Sequence, residues 1–382
     1  PQIKSLRSSN FEAVIKEVGV IVQFAKEKGT HHLVLVSGVP GAGKTFVGLT
    51  LAHDLEKAIY LSGNGPLVEV LQDSLQNETF VQALYNYKRD YLQNGKVPEE
   101  NIIIFDEAQR AWDANQMGGS KSEPDVIIEI AKHKPWSVVI GLIGEGQEIH
   151  KGEEGGIGLW NEAIHNQRVY VHAKHHSGLF PQALRYFENG QLHLNTSLRT
   201  HNALTYYEWV EALIEGRFET CREIAKQLKQ ERYVLKFVSS LDEAKQYVQR
   251  LYAGTDKTFG LVVSSGLENS SHVQVVPYSD RNIKPKYHVR YFNYPNSQYY
   301  CRGLQYAATE FQVQGLELDM AIVQWGDDLR IQNGSWQSSM HKKGVRDAHQ
   351  LKLNAYRVLL TRGRDGTIIC CDEATRKILS GD

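Results

Sequence analysis

The sequence has few cysteines, no excess of charge of either sign and no long apolar run. Its four cysteines, including the adjacent pair Cys370 and Cys371, lack metal-site spacing, which favours core residues in a reducing compartment. The 43 basic residues balance 44 acidic ones, so any nucleic-acid surface must be local. No apolar run could cross a bilayer and no signal segment begins the chain, so we expect a cytoplasmic protein without a membrane partner.

The apolar residues are arranged in short β-branched runs that alternate with amphipathic stretches. This alternation predicts an α/β fold with mostly parallel sheets. The predicted strands are 32–38, 58–63, 101–107 and 136–144 in the first half, and 233–240, 259–266, 318–325 and 366–371 in the second. The stretch 202–228 has helical spacing and separates the two sets. With 382 residues, we predict two domains, 1–194 and 195–382.

The glycine-rich stretch GVPGAGKT, residues 38–45, lies directly after a predicted strand and before a predicted helix. In this context the pattern predicts a phosphate-binding loop, whose backbone N–H groups turn toward a phosphate at a helix N-terminus. Lys44 would reach the β- and γ-phosphates, and the Thr45 hydroxyl would hold Mg²⁺. The candidate nucleotide-binding residues here are Gly38, Pro40, Gly41, Ala42, Gly43, Lys44, Thr45 and Phe46.

Two carboxylates follow the apolar strand in IIIFDEAQR, residues 102–110. Alone, such a pair is usually a solvated loop, but downstream of a phosphate loop it predicts an NTPase site that uses Mg²⁺. Asp106 would support the metal, and Glu107 would orient the attacking water. Gln147 follows the next strand at the same expected sheet edge, where it is either a γ-phosphate sensor or an ordinary turn residue.

Six stretches occur in the order and approximate spacing of superfamily 1 helicase motifs. They are GVPGAGKT, IIIFDEAQ, IGEGQEI, LNTSLRTH, TEFQVQGLELDMAIV and YRVLLTRGRDG. The stretches LSGNGPLVEVL, GQEIHKGEEGG and EFQVQGLELD more closely resemble the Schlafen group 3-like helicase-type family. This resemblance spans nearly the whole chain and implies two tandem RecA-like P-loop NTPase domains that bind one nucleotide between them.

The resemblance also implies roles for residues of the second domain. Arg199 and Arg362 would be the arginine fingers that neutralise the γ-phosphate, whereas Arg364 would pair with a carboxylate at the domain surface. Gly315 would permit close backbone approach, and Glu317 would reach the ribose. Thr309 and Gln312 would lie near the nucleotide or the nucleic acid. Leu198 stands where the superfamily commonly has an aromatic residue, which leaves the choice between ATP and GTP open.

Two stretches are candidates for binding single-stranded DNA or RNA. Ser62, Gly63 and Asn64 end a predicted strand before Pro66, so free N–H groups there either bind a phosphate or form an ordinary capped turn. The stretch 284–306, within a predicted insertion at 266–306, mixes basic and aromatic residues suited to base stacking. Its alternative is a β-hairpin whose aromatic side chains pack against the second domain.

The sequence therefore predicts an ATP-dependent nucleic-acid translocase or helicase core. The alternative is a nucleotide-gated ATPase switch that controls an attached effector or nuclease domain without unwinding. A small-molecule kinase is a third class, against which the second set of strands counts. The histidines at 165, 172, 175 and 176 have no zinc spacing and predict a solvent-facing loop instead of a metal site.

Overall fold

The computed structural model describes residues 10–38, 42–75, 81–114, 117, 119–144, 154–175, 177–195, 201–231, 233–267, 273–278, 282–338 and 348–380. The chain divides into two compact units. The first comprises residues 1–68 and 76–198, and the second comprises residues 69–75 and 199–382.

The first unit is built on an eight-stranded sheet. Its strands are β1 (His31–Gly38), β2 (Ala58–Ser62), β3 (Val81–Ala83), β4 (Ile102–Phe105), β5 (Ser137–Gly144), β6 (Val169–Ala173), β7 (Arg185–Glu188) and β8 (His193–Leu194). The order is β3-β2-β4-β5-β1-β6-β7, with β8 paired to the end of β1. Every pairing is parallel, so the carboxyl ends of β1, β4 and β5 lie at one edge.

Helices flank this sheet. They are α1 (Phe11–Lys28), α2 (Lys44–Asp54), the first residues of α3 (Gly65–Leu75), whose residues 69–75 belong to the second unit, α4 (Leu84–Asn94), α5 (Glu123–Lys132) and α6 (Glu154–Ala163). The start of α5 is fixed by a capping box, in which the Ser122 hydroxyl accepts from the Asp125 N–H and the Asp125 carboxylate accepts from the Ser122 N–H. All eight residues of β5 are buried, as expected for a strand covered on both faces.

Two buried histidines lie side by side in this sheet. His32 on β1 and His172 on β6 share a hydrogen bond of 2.9 Å between Nδ1 and Nε2, and their rings stack. The pKa of each ring is lowered to about 4, mainly by burial and, for His172, also by the neighbouring imidazole of His32. The sequence-based prediction of a solvent-facing loop is therefore wrong for His172, although His165 and His175 are exposed.

Replacing His172 with Phe should flatten the pH dependence of stability. A histidine whose pKa is lower in the folded state stabilises the fold fully above pH 6.5, and this contribution is lost as the pH falls toward 4. For His172 the loss between pH 7 and pH 5 is about 2 kcal/mol. The free energy of unfolding in urea, determined at pH 7 and at pH 5, measures this difference in stability. The exposed His53→Asn variant should keep the wild-type difference, and an unchanged difference in His172→Phe would contradict the prediction.

The second unit has a six-stranded sheet and a separate hairpin. The sheet strands are β9 (Val234–Val238), β10 (Phe259–Val263), β11 (Gln274–Val275), β12 (Tyr306–Thr309), β13 (Leu318–Gln324) and β16 (Gly363–Cys370), in the order β11-β12-β10-β13-β16-β9. All of these strands pair in parallel. The strands β14 (Leu329–Gln332) and β15 (Ser335–Ser338) form the antiparallel hairpin. The predicted α/β class with mostly parallel sheets is confirmed.

The helices of the second unit cover both faces of its sheet. They are α7 (His201–Ile214), α8 (Phe218–Gln230), α9 (Leu241–Leu251), α10 (Tyr287–Asn293), α11 (Glu310–Val313), α12 (Ala348–Leu360) and α13 (Glu373–Ser380). Along β13, Met320 and Ile322 belong to one apolar cluster, and Ala321 and Val323 to another. The stretch 202–228 is two helices, because Gly216 adopts a left-handed φ of 74° between them.

A network of buried polar groups connects α12 to the ends of two strands. Lys352 Nζ donates to Asp328 Oδ2 at 2.7 Å and to Ser264 Oγ at 2.8 Å. The Tyr356 hydroxyl donates to the other oxygen of Asp328 at 2.6 Å. The side chains of Lys352 and Asp328 are 1% and 7% exposed. Because both ions are satisfied by several hydrogen bonds, this arrangement can be stable despite its burial.

The four cysteines are all free thiols buried in the second unit, as their spacing predicts. Burial raises the pKa of the Cys301 thiol to about 12, so it is uncharged at neutral pH. Among the residues described, no helix is both long and apolar enough to span a membrane.

Candidate nucleotide-binding site

Two glycines lie at the end of β1 and just before α2. A Cβ at Gly38 would lie 2.8 Å from Leu194 Cβ, so this position tolerates only glycine while β8 packs on the end of β1. Gly43 precedes α2 with a φ of 84°, in the left-handed region that favours glycine. Ala42 is buried between them. Pro40 and Gly41 of the predicted loop lie outside the described residues.

Lys44 and Thr45 occupy the first turn of α2. Lys44 Nζ donates to the Gly38 carbonyl at 3.0 Å, so its ammonium group lies beside the end of β1. Phe46 is 46% exposed, and its ring lies 5.1 Å from that of Phe11 on α1. A helix N-terminus with a lysine and a hydroxyl in its first turn is chemically suited to bind an anion.

Asp106 and Glu107 follow β4 directly. The Asp106 N–H donates to the Leu61 carbonyl at 2.9 Å, which extends the pairing with β2 by one step. Burial and the adjacent Glu107 carboxylate raise the pKa of Asp106 to about 7, while the Lys44 ammonium lowers it. The first unit therefore brings Asp106 within electrostatic reach of Lys44, as the sequence predicts for residues at one sheet edge.

The backbone at Glu107 is unusual. Its φ of 52° and ψ of 48° lie in the left-handed region, which costs a residue with a Cβ about 1 kcal/mol. This conformation ends the strand and starts the short 3₁₀ helix Ala108–Arg110. Strained residues of this kind cluster at functional sites. The backbone conformation therefore indicates a functional role for Glu107 independently of the motif.

Gln109 connects Glu107 to the next strand. Its Nε2 donates to Glu107 Oε2 at 2.6 Å, and its Oε1 accepts from the Gly144 N–H at 3.3 Å. Gln109 is 1% exposed, so these bonds form away from solvent. No sequence motif assigned Gln109 a role. The available signal was its position two residues after Glu107, where a polar side chain must turn inward.

Tyr60 is the second residue that the sequence analysis missed. It lies in the middle of β2 with 0% exposure, and its ring packs against Gly48 of α2. The Asp106 carboxylate and the Thr45 hydroxyl both interact with its hydroxyl, but neither interaction has the geometry of a full hydrogen bond. A buried strand residue with a polar tip was the only signal in the sequence.

In the second unit, Arg362 follows α12 and donates to three backbone carbonyls. Its Nε donates to Val358 at 2.8 Å, and its Nη1 donates to Leu316 at 2.9 Å and to Val313 at 3.3 Å. The guanidinium group thus caps the end of α12 and the turn after α11. Its role as an arginine finger stays a prediction.

The turn after α11 contains Gly315 and Glu317. Gly315 has a φ of 75°, which explains the glycine by backbone conformation. The Glu317 carboxylate lies 3.6 Å from Arg364 Nε in a partly exposed ion pair. The predicted surface partner of Arg364 is therefore Glu317, the residue that the family resemblance assigns to the ribose.

Thr309 and Gln312 are buried and satisfy each other at the start of α11. The Gln312 side chain accepts from the Thr309 N–H at 2.9 Å and donates to the Val276 carbonyl at 2.9 Å. This capping box fixes the helix start. Its hydrogen bonds give both side chains a structural function in the second unit.

The basic and aromatic stretch 284–306 forms α10 and the 3₁₀ helix Cys301–Gly303, so the predicted β-hairpin is wrong. Several of its aromatic side chains do pack inward as that alternative proposed, although Tyr294 is exposed. Tyr291 is 0% exposed and donates to the Leu261 carbonyl at 2.7 Å, and the Tyr287 and Tyr299 rings lie 4.8 Å apart. The stretch forms a helix instead of a hairpin because the apolar face of α10 packs on the sheet.

The turn before α3 has the geometry of an ordinary capped turn. The Leu67 N–H donates to Asn64 Oδ1 at 3.3 Å, and the Asn64 N–H donates to Ser62 Oγ at 3.2 Å. These bonds occupy two of the backbone N–H groups that were predicted to be available for binding a phosphate. Phosphate binding by this turn stays a prediction.

Three further predictions fall outside the part of the chain that the structure describes. These are Gln147 as γ-phosphate sensor, Arg199 as arginine finger, and His176 as part of a solvent-facing loop. Within the described ranges, no group of three or more His, Cys, Asp or Glu side chains could hold a metal ion. Thr45 and Asp106 would thus need further ligands, such as phosphate oxygens or water, to hold Mg²⁺.

The comparison with known families gives one match. The profile of the Schlafen group 3, DNA/RNA helicase domain matches residues 31–373, which span most of the chain. No curated protein matches.

Solved structures with a similar fold include two Pif1 helicases. The enzyme from Candida albicans is 11% identical with a TM-score of 0.37, and the match covers 97% of each chain. The Bacteroides enzyme in complex with ADP-AlF₃ and ssDNA is 10% identical with a TM-score of 0.38, and covers 94% of this chain and 91% of that one. These similarities are low, so the assignment depends on the family match. The chain belongs to the Schlafen group 3 DNA/RNA helicase domain family.

Proposed function

We propose that this chain hydrolyses ATP and uses the energy to move along single-stranded DNA or RNA. The observation that carries the proposal is the convergence in the first unit of a phosphate-type turn and two carboxylates. Lys44 follows β1, Asp106 follows β4, and the lysine lowers the pKa of the aspartate through its charge. Membership of a DNA/RNA helicase domain family supports the same function.

The turn before α2 would bind the phosphates of ATP. Its glycines free backbone N–H groups for the anion, and the partial positive charge of the helix N-terminus adds to the attraction. Lys44 Nζ, which lies 3.0 Å from the Gly38 carbonyl, would turn to the β- and γ-phosphates. Phe46 is exposed enough to contact the nucleotide from the same turn.

The residues present fit a divalent cation. Thr45 offers a hydroxyl and Asp106 a carboxylate, which are oxygen ligands of the kind that Mg²⁺ prefers. The buried Tyr60 hydroxyl beside them lacks a full hydrogen bond, as expected where a further polar partner is missing. When bound, Mg²⁺ would neutralise negative charge on the phosphates. Asp106 would hold the cation, and Glu107 would orient the attacking water and accept its proton.

Family membership supports the remaining roles. Gln147 would sense the γ-phosphate, and Arg199 and Arg362 would stabilise the charge that develops on it. Gly315 would allow close approach of the backbone. Glu317 would give up its ion pair with Arg364 and bind the ribose instead. For Arg362 to act in this way, its guanidinium group must release at least one of the carbonyls that it now contacts.

Replacing Gln109 with Met should lower kcat more than it changes nucleotide affinity. The variant removes the hydrogen bond that orients Glu107 and leaves the Gly144 N–H without its side-chain acceptor. We expect kcat to fall about 10- to 100-fold and KM to stay within about twofold of the wild-type value. The reason is that the variant disturbs the general base Glu107 and leaves the contacts to the phosphates intact. Steady-state ATPase assays measure both constants. Exposed Gln23→Met is the control, and an equal change in both constants would contradict the prediction.

The experiment that tests the function is the ATPase rate with and without single-stranded DNA and RNA at several salt concentrations. We expect single-stranded nucleic acid to stimulate hydrolysis. The nucleic-acid concentration that gives half of the maximal stimulation should rise with salt, because contacts to the phosphates release counterions on binding. The same assays with GTP in place of ATP show which nucleotide the protein hydrolyses.

Two other outcomes would exclude this function. Hydrolysis that is indifferent to both nucleic acids favours the nucleotide-gated switch, in which the ATPase controls an attached effector domain. The absence of hydrolysis and of nucleotide binding under all conditions would refute the site itself.

A further inference from the structure

The hydroxyl of Tyr60 is a buried polar group that the proposed chemistry leaves without a role. Tyr60 is 0% exposed, and it is among the largest fully buried side chains of the chain. Its hydroxyl has no hydrogen-bond partner of good geometry within the described residues. Leaving such a group unsatisfied costs about 1–3 kcal/mol, so its position calls for an explanation.

The fold directs this hydroxyl to the carboxyl edge of the first sheet. Tyr60 pairs with Ile104 of β4 in the parallel register, and Asp106 lies two residues after Ile104, on the same face. The ring passes beneath α2 at Gly48, where an added Cβ would lie only 2.7 Å from Tyr60 Cε2. Gly48 is one turn beyond Thr45, so the close packing of ring and helix brings the hydroxyl toward the first turn of α2.

The hydroxyl interacts with both residues proposed to hold the metal. The Asp106 carboxylate lies beside it as an acceptor, and the Thr45 hydroxyl lies beside it as a donor. The phenol therefore lies between a hydroxyl on α2 and a carboxylate on β4. These two groups come from different elements, and Tyr60 is the buried side chain that interacts with each of them.

We propose that Tyr60 is a positioning residue of the metal site, whose hydroxyl orients Thr45 and Asp106 toward a divalent cation. This inference depends on the proposed nucleotide site. When the cation is bound, donation from the phenol to one oxygen of Asp106 would leave the other oxygen free for the cation, and it would favour the charged form of that carboxylate. Accepting from the threonine hydroxyl leaves the lone pairs of that oxygen available as well.

The Tyr60→Phe variant tests the inference through metal affinity. We expect the midpoint of the Mg²⁺ titration to rise about tenfold when a fluorescent ADP analogue reports binding, since partners of metal ligands typically contribute that much. Binding of the same nucleotide in EDTA should be unchanged, because the ring that supports α2 is retained. Mn²⁺ binding in the presence of a non-hydrolysable ATP analogue, followed by electron paramagnetic resonance, should weaken by the same factor.

The matched control is Tyr87→Phe. Tyr87 lies on α4 in the same unit and also buries a hydroxyl without a good partner, but it does not interact with Thr45 or Asp106. Both variants should unfold in urea at the wild-type concentration or slightly above it, since each removes an unsatisfied hydroxyl. Only Tyr60→Phe should change the metal midpoint.

Three outcomes would overturn the inference. A wild-type metal midpoint in Tyr60→Phe, or an equal shift in Tyr87→Phe, would assign the hydroxyl no special role at the metal. A Tyr60→Phe variant that unfolds more easily and also binds nucleotide more weakly in EDTA would assign it a structural role. If the wild-type protein binds nucleotide with no dependence on Mg²⁺, the proposed metal site fails, and this inference fails with it.

Discussion

Replacing Glu107 with Gln should reduce ATP turnover by about 10²- to 10⁴-fold while nucleotide remains bound. The amide keeps the shape of the side chain and can still bond Gln109, so the turn after β4 should persist. It cannot accept a proton from water, and therefore only the hydrolytic step is lost. Single-turnover hydrolysis and nucleotide binding in Mg²⁺ measure the two effects separately.

Lys44→Ala is the companion variant, and it should lose both properties. Its ammonium group is the only one that we propose for the phosphates, so binding and turnover should fall together. Lys26→Ala, an exposed lysine on α1, serves as the control and should behave as the wild type. Undiminished ATPase activity in Lys44→Ala would refute the site, and tight binding with lost turnover in that variant would assign Lys44 to the transition state alone.

Replacing Lys352 with Met should destabilise the protein by about 3–5 kcal/mol. The Asp328 carboxylate would remain buried with only the Ser264 and Tyr356 hydroxyls as donors, and an uncompensated buried charge is costly. Urea unfolding of the full chain measures the loss. Arg330→Met breaks an exposed ion pair with Asp327 and should produce no measurable change.

A double variant separates the charge from the packing. Changing Lys352 to Met and Asp328 to Leu together removes both charges, and it should recover much of the stability that the single variant loses. A double variant as unstable as Lys352→Met would mean that the volume of the lysine chain, and not the unpaired carboxylate, determines the loss. A stable single variant would contradict the prediction altogether.

The long strands and the main turn of the site were predictable from the sequence. All eight predicted strands are present, because each is an apolar, β-branched run; seven of them are largely buried, and β9 is a partly exposed edge strand. The glycine pattern located the turn before α2 for a physical reason, since Gly43 needs a left-handed backbone. The position of Asp106 at the end of β4 followed from parallel pairing alone.

The remaining features depend on tertiary partners that no local pattern encodes. The strands β3, β8 and β11 have three residues or fewer, too short for periodicity to register. Tyr60 gained its place at the site through the register of β2 with β4 and through the close approach of Gly48. Gln109 acquired its role through a contact with Gly144, 35 residues away. The stretch 284–306 was misassigned because mixed aromatic and basic composition does not distinguish a hairpin from a short helix.

The packing of Leu194 against Gly38 has a consequence for comparing relatives of this chain. A side chain at position 38 would displace β8 whether or not a phosphate ever binds nearby. Selection would therefore preserve this glycine even in a descendant that had lost its nucleotide. The identities at positions 44 and 45, which the sheet does not require, are the better markers of an active enzyme.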